Sequence, residues 1–178
     1  MAEAAAVPAA SGPSVWKAFH ANKTSWVGAV LLVLIILMAI FAPWLSPKDP
    51  SEQDIIARLL PPDSDWLFGT DAFGRDVLSR IIWGSQISLI VAFASILVAM
   101  AIGGAIGLVS GYVGGRTDLL IMQAMDVLLS FPSLIMGIIV VAMLGPSLPN
   151  LVFAIALTAI APFARIARAP TLALKERA

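Results

Sequence analysis

Four apolar stretches separated by polar or glycine- and proline-bearing turns set the pattern of this chain. The first runs from Trp26 to Trp44, about 20 residues, the length at which an α-helix crosses hydrocarbon. Trp26 and Trp44 fall at its two ends, where amphipathic rings favour the membrane interfaces. Secretory signal segments have shorter apolar cores and a small-residue cleavage site, and Ile40-Phe41-Ala42-Pro43 matches that pattern poorly, so the run reads as an uncleaved anchor. Pro43, Pro47 and Pro50 then remove backbone donors and halt the helix. The second stretch, Ile81 to Gly115, holds no charged residue and predicts one long helix over about Ser85 to Val109. A third helix is predicted from about Leu119 to Leu144, with a kink or break near Phe131-Pro132, and a fourth from Leu151 to Ala164, bent near Pro162. The predicted fold class is all-α, a polytopic membrane helix bundle with four crossings.

Composition agrees: 60% of the 178 residues are hydrophobic and 12% charged, where a globular chain carries roughly a quarter. Charge supplies an orientation. Between Lys48 and Arg80 lie seven acids and four bases, whereas Lys17 and Lys23 flank the first helix, Arg116 the turn after the second, and Arg165, Arg168, Lys175 and Arg177 the end of the fourth. The positive-inside rule places both ends in the cytoplasm and the 48–80 loop outside. Residues 1–15 form an alanine- and proline-rich tail predicted to be disordered. After it come an anchor helix with an extracytoplasmic linker (16–66), an amphipathic connector (67–84) and the remaining membrane domain (85–178).

The formal net charge of zero leaves no basic footprint for nucleic acid. With no cysteine and one histidine, thiol chemistry and a histidine metal cluster are excluded. Gly111 to Gly115 lacks phosphate-loop spacing, and no strand precedes it. No Ser/His/Asp set or membrane-depth carboxylate pair is available, so no catalytic residue, bound cofactor or metal is predicted and an intramembrane hydrolase is disfavoured.

Three patterns carry more specific expectations. In Trp66 to Ile82, Thr70 or Asp71 can cap a short helix that has Phe73, Val77, Leu78, Ile81 and Ile82 on one side and an Asp76–Arg80 i,i+4 pair. In the second helix, Ser95, Ala99, Gly103, Gly107 and Gly111 recur every fourth position, a stripe that lets another backbone approach closely, in a neighbouring subunit or within the chain. In the third, Thr117 or Asp118 can cap the start. Asp126 is an acid near membrane depth, about 12 Å along the helix from Asp118, either a structural partner or part of a translocation path with Pro132.

The run Gly69-Thr70-Asp71-Ala72-Phe73-Gly74-Arg75-Asp76-Val77-Leu78-Ser79-Arg80 resembles the GTDxxGRDxxSR signature of C-type permease subunits of dipeptide, oligopeptide and nickel ABC importers. The Trp16 to Trp44 anchor, Gly111 to Gly115, Asp126 to Pro132, and Ala164-Arg165 through Arg177 fit the same family in the same order. The resemblance implies a type I ABC importer permease fold with four of six expected crossings present. It also implies a second homologous permease, two ATP-binding subunits that hold ATP and Mg, and an extracytoplasmic substrate-binding protein. Gly69, Thr70, Asp71, Gly74, Arg75, Asp76 and Arg80 are then family-signature and extracytoplasmic contact residues. Arg165, Arg168, Lys175, Glu176 and Arg177 lead into the segment that couples such permeases to their ATPases, and the chain stops at its start. The expected function is ATP-driven import of small peptides or related solutes across the cytoplasmic membrane. The alternative is a truncated or non-transporting membrane interaction protein.

Overall fold

The computed structural model describes residues 19, 20 and 22–175; the expected tail, Trp16, Lys17, Glu176 and Arg177 lie outside the described residues. Among the described residues there is no strand, only an isolated bridge between Thr70 and Asp76. The chain divides into two compact units, Met1–Gln86 and Ile87–Ala178.

In the first unit, helix α1 (Lys23–Ile40) starts where the Asn22 side chain accepts from the Thr24 N–H at 3.0 Å. It does not continue to Trp44. Pro43 has no N–H to return to the Ala39 carbonyl, so α1 closes with Phe41 N–H on Leu37 and a one-turn helix, α2 (Ala42–Leu45), follows. The carbonyl that Pro43 leaves free accepts from the Gln86 side chain at 3.4 Å. Residues 46–76 are turns and irregular chain. Helix α3 (Val77–Val113) then begins, eight residues before the helix predicted at Ser85. The 67–84 connector is therefore not a separate amphipathic helix: its first ten residues are loop and the rest is the opening of α3.

The second unit contains most of α3, then α4 (Gly115–Ser130), α5 (Ser133–Leu144) and α6 (Leu148–Lys175). Gly114, at φ +71°, stands at the α4 N-cap with no side-chain cap, so neither Thr117 nor Asp118 fills that place. The third apolar stretch is two helices meeting at 87° across Phe131-Pro132. Helix α6 overruns its predicted end, passing through both Pro162 and Pro170. Membrane helices tolerate such prolines when neighbouring groups satisfy the freed backbone.

Helices α3 and α6 run parallel. Ser95 Oγ donates to the Val152 carbonyl, and Gly103, Gly107 and Gly111 abut Ile160, Ala164 and Arg168, a constant offset of 57 positions. The intervening chain must return across the same depth. Helices of 16 and 12 residues are about 24 and 18 Å long, and joined at 87° they span about 30 Å, enough for one broken crossing. Counted so, the described residues hold four candidate crossings, and the chain is a polytopic membrane helix bundle. The core of this unit is Ala99, Met125, Ala156, Ile160, Ala161 and Ala164. Only 28% of the α6 span and 6% of α1 are buried, which leaves broad apolar faces for lipid or other subunits.

Candidate functional site

The signature loop is built inward. Thr70 donates its hydroxyl to the Ala57 carbonyl and accepts from the Leu60 N–H at 2.8 Å, fastening 57–60 beneath it. Gly69 and Gly74 take φ near +70°, and a Cβ on Gly74 would fall 1.7 Å from the Asp54 carbonyl oxygen. The turn at Phe73-Gly74 folds the chain so that Asp71 accepts from the Phe73 and Arg75 N–H groups, from the Arg75 guanidinium at 2.8 Å and from Arg80. Burial alone would raise the Asp71 pKa, but the Arg75 side-chain and backbone bonds, with that of Phe73, hold it well below the ordinary carboxylate range.

Arg80 thus pairs with Asp71 rather than Asp76. Asp76, 3% exposed, accepts from the Ser79 N–H at 2.8 Å and from its hydroxyl, the geometry of an N-cap for α3. Thr70 and Asp71 do not cap a helix. Ser79 also accepts from the Lys48 N–H at 3.1 Å, and Lys48 Nζ lies 3.0 Å from the centre of the Trp66 ring. With the signature side chains engaged internally, the loop's exposed apolar groups include Ile55, Ile56, Leu59, Leu67, Phe68 and Phe73. Leu59 is held at φ +53°, with its N–H on the Asp71 carbonyl.

In the second unit the small-residue stripe meets α6 of the same chain. Ala99 is fully buried, and Cβ atoms on Gly103 and Gly107 would lie 2.4 and 2.2 Å from the carbonyl oxygens of Ile160 and Ala164. Helix α4 is tied to α6 by two ion pairs. Arg168 bonds both carboxylate oxygens of Asp118, which also accepts from Ser110 Oγ, and the more exposed Arg165 pairs with Asp126. Lys175 Nζ donates to the Val113 carbonyl at 3.2 Å, so all three described bases of the predicted coupling lead-in are bonded within the chain. Pro132 stands at the α4–α5 break, exposed. Among the described residues no group of three or more His, Asp or Glu side chains is placed to hold a metal.

Residues 14–62 match the family described as the N-terminal TM domain of oligopeptide transport permease C. Similarity extends over nearly all of the chain. The probable D,D-dipeptide transport system permease protein DdpC of Escherichia coli strain K12 is 42% identical over 167 residues, 89% of this chain and 56% of that protein. Over nearly its whole length, the chain is similar to permease C proteins. The dipeptide transport system permease protein DppC of Haemophilus influenzae is 40% identical over 91% of this chain and 57% of its own. The oligopeptide transport system permease protein OppC of Bacillus subtilis is 39% identical over 92% and 55%. The chain therefore spans just over half the length of these permease C relatives.

Several residues carry roles that the sequence pattern does not assign. Ser79 and Ser110, each fully buried, complete the Asp76 and Asp118 networks; Ser79 stands in the signature run without an assigned role, and nothing in the spacing of Ser110 marks it apart from other helix serines. The pairing of Asp118 with Arg168, 50 residues away, is a tertiary contact with no local signal.

Proposed function

We propose that this chain forms the N-terminal membrane portion of a permease subunit in an ATP-driven importer of small peptides or related solutes. The observation that carries the reading is near-full coverage of the chain, at about 40% identity, by proteins named as dipeptide and oligopeptide permeases. The complete assembly adds a second homologous permease, two ATP-binding subunits that hydrolyse ATP with Mg, and an extracytoplasmic binding protein that delivers the solute. The N-terminus faces the cytoplasm of a bacterial inner membrane and the 46–76 loop faces outside, in keeping with the charge asymmetry of the sequence.

In this reading the signature residues Gly69, Thr70, Asp71, Gly74, Arg75, Asp76 and Arg80 shape the outside loop, and Ile55, Ile56 and Leu59 on its surface meet the binding protein or partner permease. Helices α3 and α6, locked by the small-residue stripe, move as one when the ATPases close. The two ion pairs carry that movement into α4, and Asp126 and Pro132 border the path of the solute.

The test is genetic. In a host lacking other peptide importers, deleting the gene that encodes this chain is expected to abolish uptake of a labelled dipeptide, and restoring it to recover uptake. Undiminished uptake in the deletion strain overturns the reading.

A further inference from the structure

The interruption between α4 and α5 lies at mid-depth. Ser133 shares a groove with Thr158, close in sequence to Ile160, which abuts Gly103 ten residues, or about 15 Å, from the Val113 end of α3. That is half the roughly 30 Å thickness of bilayer hydrocarbon.

At this depth the backbone is open. Pro132 has no N–H for the Leu128 carbonyl, Phe131 is extended at φ −87°, ψ 130°, and the next donors belong to a helix leaving at 87°. Ser130, Phe131, Pro132 and Ser133 are all exposed. Irregular backbone persists inside a membrane only where protein covers it or water reaches it. One turn earlier stands an ion pair that is itself more than half exposed, Asp126 at 60% and Arg165 at 52%. Arg165 is level with Leu108, five residues or about 7.5 Å from the Val113 end, and an exposed ion pair at that depth is costly against lipid and at home beside water.

The sign of the field is set by the same residues. The last-turn carbonyls are the negative end of the α4 dipole, and on that turn stands Asp126, nearer the break than the Arg165 that offsets its charge in the resting pair, with Ser130 Oγ donating to the Asp126 main-chain carbonyl at 2.9 Å. We propose that the C-terminus of α4 and Asp126 form a water-accessible site that receives the ammonium end of a peptide in transit. Arg165 gives up Asp126 as the ammonium arrives and turns to the carboxylate of the same zwitterion. One ion pair is exchanged for two, and no net charge is stranded in the membrane. This inference rests on the transport reading for its ligand.

The test uses the complete transporter in membrane vesicles. The chain has no cysteine, so Ser130→Cys places a single thiol at the break. Its labelling is followed by mass with two small thiosulfonates, one carrying an ethylammonium group and the other an ethylsulfonate. The expected result is reaction with the cationic reagent about tenfold faster than with the anionic one, and a fall of that ratio to one or below when Asp126→Asn is added and Arg165 is left without its carboxylate. No reaction with either reagent, or a ratio indifferent to Asp126→Asn, overturns the site. If Ser130→Cys does not assemble, Ser133→Cys gives the same readout. Peptide uptake by the unsubstituted complex is measured alongside: its absence sinks the transport reading, whereas uptake without charge-selective labelling sinks only the ammonium site.

Discussion

Gly107 faces the backbone of Ala164 so closely that a Cβ built on it would lie 2.2 Å from the carbonyl oxygen. The obstacle is main chain, which cannot swing aside as a side chain can. Gly107→Ala is therefore expected to destabilise the second unit by about 1–3 kcal/mol, the range for overpacking a tight contact. Gly104, one of the neighbours with nothing within 4 Å of a built Cβ, is the control. Gly104→Ala should be neutral or stabilising by up to about 1 kcal/mol through helix propensity. Thermal unfolding of the two variants in the same detergent decides the matter.

Arg168 engages Asp118 through two nitrogens, a geometry that a lysine ammonium cannot copy. Arg168→Lys is expected to lower the unfolding temperature clearly, and Arg165→Lys, at a pair more exposed on both sides, to lower it less. Equal effects would remove the distinction between the pairs.

Gly74 combines a left-handed backbone with a Cβ position occupied by the Asp54 carbonyl. Gly74→Ala should open the signature loop, at a cost of at least ~1–2 kcal/mol from the backbone conformation alone. Limited proteolysis across 46–76 would show faster cleavage, with the helices of the second unit unaffected.

The depressed pKa of Asp71 gives the loop a pH dependence of definite sign. Its charged form is favoured by folding, so the stabilisation is complete above the unfolded value of about 3.9 and is lost as pH falls below it toward the lower folded value. Hydrogen exchange of the Phe73 and Arg75 amides, which Asp71 accepts, should accelerate relative to α3 amides below about pH 4. In Asp71→Asn the acid-dependent component should vanish.

What the sequence made legible depended on how local each cause was. The stripe from Ser95 to Gly111 needs only small side chains at a fixed interval, so the face was readable, although its partner, α6, was not. Pro132 marked a break through its missing donor, but no local signal gives the 87° turn between the two helices. In the signature loop, spacing favoured Asp76 with Arg80 on one helix. Capping prevailed instead: α3 starts at Val77, Asp76 turns to Ser79, and the Phe73-Gly74 turn brings Asp71 to Arg80 across nine residues. In α6 the helix continues past its expected end, with Pro162 and Pro170 inside it.

The constant offset between α3 and α6 has a mechanical consequence. Each notch on one helix is filled by main chain of the other, so slippage along their common axis would require carbonyls to climb past Cα atoms in steps of four residues, about 6 Å each. Such a pair behaves as a single stiff strut, incapable of gliding and able only to tilt. Compliance is left to the joint at Phe131-Pro132, where no continuous hydrogen-bond ladder resists bending and no residue of α5 is buried.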